Sequence, residues 1–132
     1  MLFRSLLDLA AERATGGAQR ADVDGRIAAR GAVDPALLDR LMADPFFALE
    51  PPRSTGRERF GHALMERLVA ETRPEGDAGW ADLLATLTAF TARSIGDAYR
   101  RWVLPRGVDE VILTGGGARN PALVREIGRA HV

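Results

Sequence analysis

The sequence predicts a helix-rich α/β fold in which several amphipathic helices precede one short apolar strand. Three observations carry this reading. Apolar residues recur at helical spacing in successive stretches, acid-proline and asparagine-proline pairs mark helix starts, and a single β-type run, Asp109–Thr114, leads through Gly115-Gly116-Gly117 into a last helix. At 132 residues the chain is large enough for one domain with a modest core and too short for a two-lobed enzyme.

The elements follow in order. Leu6 to Ala14 (LLDLAAERA) combines helical spacing with good helix formers, and Gly16-Gly17 closes it. The polar stretch from Gln19 to Gly31 holds Asp22 and Asp24 ahead of Gly25. Asp-x-Asp-Gly opens like a calcium loop, but the later ligand positions and the terminal glutamate are missing, so a turn or short helix start is expected. Asp34-Pro35 supplies an N-cap acid followed by proline at the first helical position; Leu37, Leu38, Leu41 and Met42 give that helix a buried face, and Asp44-Pro45 ends it. Phe46 to Pro52 is expected to be extended, held out of helix by its prolines.

Thr55 and Glu58 have capping-box spacing ahead of a helix whose apolar stripe is Phe60, Leu64 and Leu68. Arg53, Arg57 and Arg59 could meet an anion or a sugar, whereas the capping box accounts for Thr55 and Glu58 without a ligand. Thr72 to Gly79 reads as a surface linker, followed by a long helix over Trp80–Trp102 with Trp80, Leu83, Leu84, Leu87, Ile95 and Ala98 on one side. Thr86, Thr88, Thr91 and Ser94 are expected in the core, with hydroxyls bonded to the preceding turn. His62 has no partner in local register and reads as a surface residue.

Composition removes several functions. The 18 acidic and 18 basic residues balance, so no net field recruits nucleic acid or an anionic membrane. Every basic residue is arginine, which excludes a lysine nucleophile, a Schiff base and a P-loop lysine. No cysteine is present, which excludes disulfides, zinc-thiolate sites and cysteine catalysis. No apolar run approaches a membrane span and no signal-like N-terminus is evident, so a cytoplasmic protein is expected.

The two ends are expected to be foreign. Glu126–Val132 can be encoded by GAG ATC GGA AGA GCA CAC GTC and Met1–Ser5 by GTG CTC TTC CGA TCT, which match the start of a common sequencing adapter and its reverse complement. On this reading the native segment runs from Leu6 to Arg125, and the whole chain, 1–132, is a single partial domain with adapter-derived residues at 1–5 and 126–132.

The most informative unit is the strand, triple glycine and helix of ILTGGGARNPALV. Glycines allow a sharp turn and close approach by a ligand, and the helix that follows offers amides and a positive dipole end suited to a phosphate. An ordinary strand-to-helix turn is the competing explanation. This stretch resembles the adenosine-binding motif of the actin-like, hexokinase and Hsp70 superfamily of ATP-dependent phosphotransferases.

A more specific match is Asp44-Pro-Phe-Phe-Ala-Leu-Glu-Pro-Pro-Arg-Ser-Thr-Gly-Arg-Glu58, which closely resembles the DPYF…PPKSTGRE segment of anhydro-N-acetylmuramic acid kinases. Asp24-Gly25…Gly31, Ala85–Ile95 and Val108–Pro121 are similar to the same family, collinearly over almost all of Leu6–Arg125. Arg53 stands where the family usually has lysine, and Phe47 where it has tyrosine.

The resemblance implies a helix-rich partial lobe of an actin-like (ribonuclease H-like) kinase fold, drawn from the C-terminal lobe, with ATP and Mg2+ held between lobes. It implies hydrolytic opening of the 1,6-anhydro ring of an amino sugar with phosphorylation of O6, in cell-wall recycling. Gly115, Gly116, Gly117 and Asn120 are the expected cofactor-binding residues. The catalytic aspartate and first phosphate loop are expected upstream of Leu6, which leaves no catalytic or metal-binding residue here and predicts an inactive fragment of a protein that is a homodimer at full length. Two alternatives are another carbohydrate kinase of the superfamily and a non-enzymatic nucleotide-binding or dimerisation module. Because only one strand is legible, weak or molten behaviour of the isolated chain is expected.

Overall fold

A computed structural model describes residues 2–50, 60–114 and 116–131. Its first helix, α1 (Leu2–Ala14), ends where the sequence places the stop. Gly17 N donates to the Glu12 carbonyl at 2.8 Å and Gly16 N to the Arg13 carbonyl at 3.4 Å, with Gly16 at φ +60°. This is a Schellman closure, which needs a left-handed residue that glycine supplies without steric cost.

The Asp22–Gly25 stretch is a turn, as its incomplete calcium pattern implies. Val23–Gly25 makes a 3₁₀ turn that runs into the short helix α2 (Arg26–Ala29). Asp22 is buried, and its Oδ1 and Oδ2 accept from the amides of Ile27 (2.8 Å) and Ala28 (3.0 Å). The carboxylate thus ties down the start of α2.

Helix α3 (Pro35–Met42) starts on Asp34, whose Oδ1 accepts from the Ala36 and Leu37 amides at 3.0 and 3.2 Å. Leu37 and Leu41 are buried and Leu38 and Met42 partly so. The Phe46–Ala48 part of the expected extended segment folds differently, since Pro45–Ala48 is a 3₁₀ turn with Asp44 Oδ1 accepting from Phe46 N at 2.9 Å, whereas Leu49 (φ −71°, ψ 141°) is extended as expected. Proline at the first position of such a turn loses no hydrogen bond, and the acid before it acts as a cap. Pro51 and Pro52 lie outside the described residues, as do Thr55 and Glu58 of the expected capping box and Arg53, Arg57 and Arg59.

Helix α4 (His62–Thr72) buries Leu64, Met65 and Leu68, while Phe60 is buried just ahead of it. His62 is exposed. An ion pair from Arg13 to Glu66 joins α1 to α4. The expected linker shrinks to three residues, because α5 (Gly76–Ala98) begins four residues earlier than Trp80. Arg73 adopts φ +45° to make the corner, and Asp77 lies in the first turn of α5, where an acid favours helix initiation.

Helix α5 is the axis of the fold and packs against α1, α2, α3 and the last helix, α6 (Pro121–His131). Its apolar residues do not keep to one side: every residue from Leu83 to Ala92 is buried. A helix contacted from several directions loses its polar face. Its hydroxyls solve the resulting problem locally. Thr86, Thr88 and Thr91 donate to the carbonyls of Asp82, Leu84 and Leu87 at 2.8–2.9 Å, and Ser94 donates to that of Thr91 at 2.8 Å, as the sequence predicts. Phe90, at 0% exposure, meets Phe47 and Phe60 with ring centroids 5.6 and 6.0 Å apart. Phe46 completes this cluster against Phe47 and Phe60.

The helical path continues past Ala98 through a π-helical turn, Tyr99–Val103, and a 3₁₀ turn, Leu104–Arg106. The predicted strand does not form. Asp109–Thr114 is irregular and exposed, with Ile112 at 75%, and the described residues contain no strand. A strand is stabilised by its neighbour's backbone groups, and among the described residues no extended segment pairs with this one. The helix-rich part of the fold class therefore holds, and the β part does not appear in this segment.

Candidate functional site

The glycine motif leads directly into α6. Gly116–Arg119 forms a 3₁₀ turn, and Gly115 lies outside the described residues. Asn120 is the N-cap: its Oδ1 accepts from Leu123 N at 3.1 Å and its carbonyl from Val124 N at 3.0 Å, while Pro121 occupies the first helical position.

Behind this cap lies the acidic turn. Gly25, at φ +65°, touches the start of α6 so closely that a Cβ there would overlap Asn120 Oδ1 and lie 2.7 Å from Ala122 Cβ. A left-handed backbone and a missing side chain are both required at this position. The two loops, nearly a hundred residues apart in sequence, are thereby locked together.

Between them opens a pocket of about 280 Å³. Gly117, Arg119, Asn120 and Leu123 line one wall, Ala21–Asp24 the second, and Leu7, Asp8 and Thr91 the floor contributed by α1 and α5. Asp22 accepts one bond on each oxygen from the α2 amides, and Asp24 stands 3.5 Å from Arg26. Three carboxylates, Asp8, Asp22 and Asp24, and the guanidinium of Arg119 stand on its walls.

The expected phosphate-binding terminus is largely occupied by protein. Pro121 has no N–H, the Leu123 and Val124 amides are bonded to Asn120, and Ala122 is buried against Gly25. The pocket suits a mostly apolar, hydroxyl-bearing group better than a phosphate: Leu7, Val23 and Leu123 offer apolar surface, and carboxylates accept from hydroxyls.

Replacing Asp22 with alanine removes two charge-assisted hydrogen bonds and leaves two amides unsatisfied. The expected loss is about 2 kcal/mol of stability, read as a lower denaturant midpoint, with collapse of the pocket wall that Asp22 shapes. An unchanged midpoint would refute this role.

A protein-family model described as anhydro-N-acetylmuramic acid kinase matches residues 4–131. The chain belongs to the anhydro-N-acetylmuramic acid kinase family. Curated proteins of that name include one from Acidithiobacillus ferrooxidans, 44% identical over 122 residues, which covers 92% of this chain and 30% of the relative. Another, from Gloeobacter violaceus, is 47% identical over 108 residues, covering 82% of this chain and 27% of the relative. A third, from Parasynechococcus marenigrum, is 40% identical over 127 residues, covering 95% and 33%. The chain thus spans about a third of the length of the anhydro-N-acetylmuramic acid kinases it matches.

Of the expected cofactor-binding residues, Gly117 and Asn120 line one pocket and Gly116 belongs to the same turn. Sequence reasoning did not anticipate that Asp8, Asp22, Asp24 and Arg119 share it. The Asp-x-Asp-Gly pattern was the one available signal for the acidic wall; nothing in spacing links it to the glycine motif. No helix among the described residues is long and apolar enough to cross a membrane.

Proposed function

We propose that the chain forms the adenosine side of the ATP cleft in an actin-like, two-lobed kinase. In that enzyme, water attacks the anomeric carbon of anhydro-N-acetylmuramic acid, the 1,6-anhydro bond breaks, and O6 takes the γ-phosphoryl group of ATP. The observation that carries this reading is the family match across residues 4–131, together with a pocket built from the glycine turn and the acidic loop. The carboxylates of that pocket suit ribose hydroxyls, and Arg119 offers a guanidinium plane for a base to stack on.

In this reading the phosphates lie elsewhere in the cleft, because the α6 terminus is already capped by Asn120. The catalytic base and metal site lie in the remaining two-thirds of the protein, which works in the cytoplasm, as a homodimer, in cell-wall recycling. The 132-residue chain alone is inactive.

The test is Gly117→Leu in the longer protein. Gly117 lies on the pocket wall, where an added Cβ would stand 3.3 Å from Leu123 Cδ2, so a leucine narrows the space for the nucleoside. KM for ATP is expected to rise roughly tenfold, the equivalent of about 1.4 kcal/mol, with KM for the sugar unchanged. Unaltered ATP kinetics in a folded variant would remove the nucleotide from this pocket.

A further inference from the structure

Asp24 keeps a backbone that its side chain disfavours. It stands at φ 56° and ψ 17°, and among the described residues only one other that is not glycine, Arg73, has a positive φ. The left-handed region crowds the Cβ of an L residue; aspartate tolerates it better than most types and less well than glycine. The conformation is imposed by the next residue. Gly25 is wedged against Asn120 and Ala122, which fixes the turn and with it the place of Asp24 on the pocket wall. For the fold alone, glycine would serve at position 24.

The Asp24 carboxylate has little role in holding the chain together. Among the described residues its one polar partner is Arg26, 3.5 Å away, and the side chains of Asp24 and Arg26 are 54% and 78% exposed, so the pair contributes little. The other two carboxylates of the pocket differ. Asp22 is buried with an amide on each oxygen, and Asp8, on α1, is engaged in an interaction of its own. Val23, beside Asp24 on the same wall, is 56% exposed and turns an apolar surface to solvent. An open carboxylate next to an apolar surface suits a sugar ring, whose hydroxyls donate along one edge and whose carbon face is covered by contact.

The geometry points to Asp24 as the residue that takes the ribose of the nucleotide, one carboxylate oxygen accepting from each of the two adjacent hydroxyls, and so sets a preference for ribonucleotides over deoxy analogues. This inference rests on the nucleotide reading of the pocket and deepens it. A carboxylate carries two acceptor oxygens, and the 2′ and 3′ hydroxyls of a ribose are neighbours, so one group satisfies both. An analogue that lacks them leaves the charge facing carbon with nothing to accept from, which is how a site built for hydroxyls rejects a deoxy sugar. An acid on a ribose hydroxyl serves the same purpose in dinucleotide-binding folds.

The experiment compares ATP with 2′,3′-dideoxy-ATP in the longer protein, before and after Asp24→Gly. Glycine preserves the left-handed turn, so the unfolding midpoint should be unchanged or raised. KM for ATP is expected to rise about tenfold, with kcat within about twofold and KM for the anhydro sugar unchanged. With dideoxy-ATP the parent protein should show a KM already about tenfold higher, and the substitution should change it by less than about twofold. Asp24→Asn, which keeps an acceptor and loses the charge, should fall between the parent and Asp24→Gly. An equal loss with both nucleotides would make Asp24 a support of the wall and overturn the inference, as would no loss with either. Gly117→Leu separates the two failures. If it raises KM for ATP while Asp24→Gly does not, the nucleotide stays in the pocket and only the assignment of its ribose falls; if neither does, the nucleotide reading falls with it.

Discussion

Gly31→Ala is expected to cost about 3 kcal/mol or more, enough to unfold much of a marginal domain. The reason is contact and not conformation, since Gly31 does not adopt a positive φ. A Cβ at this position would overlap the carbonyl group of Ala81 and lie 2.6 Å from Asp82 N, backbone atoms of the second turn of α5. A helix backbone has no rotamer with which to retreat. The strand of chain beside it is pinned at two points: Ala32 N donates to Asp82 Oδ1 at 2.8 Å, and Asp34 N to Thr86 Oγ1 at 2.9 Å. Moving α5 away to admit a methyl group stretches both bonds and disturbs the cap of α3. Denaturant unfolding followed by circular dichroism measures the loss; a shift under 1 kcal/mol would show that the close approach is not real.

Phe90→Ala is the second large effect, expected at about 3–5 kcal/mol. Phe90 is fully buried in α5 and lies between Phe47, on the 3₁₀ turn, and Phe60, at the entry to α4. Truncation empties a site that three elements share, and edge-to-face contact with Phe47 is lost with it. None of these elements can close the gap alone, because each is held by other contacts: Phe47 by the Arg101 bond to its carbonyl at 2.9 Å, and α4 by buried Leu64, Met65 and Leu68. Phe90→Leu should recover more than half of the loss. Equal unfolding midpoints for Phe90→Ala and the parent chain would place the core elsewhere.

What could be read from the sequence was whatever is decided within about one helical turn. Asp34-Pro35, Asn120-Pro121 and Gly16-Gly17 each determine a helix end by capping chemistry that needs no tertiary partner, and each end lies where these residues put it. The threonines of α5 are legible for the same reason, since a buried hydroxyl reaches the carbonyl four residues back. Asp44-Pro45 stops α3, but its capacity to start a new turn on Phe46 was hidden by the prolines further along. Asp109–Thr114 fails in the opposite way. Its residues favour a strand, yet a strand is a relation between two segments, and one sequence window contains only half of it. The same limit applies to the pocket: Asp22 and Gly25 meet Asn120 through tertiary packing around α5, and no local pattern encodes that meeting.

The most direct measurement is the fate of the oxygen atoms when the longer protein, carrying these residues, is given anhydro-N-acetylmuramic acid and ATP in ¹⁸O-labelled water. The account predicts one product, phosphorylated on O6 and carrying a single ¹⁸O at the anomeric hydroxyl, formed only when ATP is present. Phosphorylation without ring opening, ring opening without ATP, or label in the phosphate instead of the sugar would contradict it.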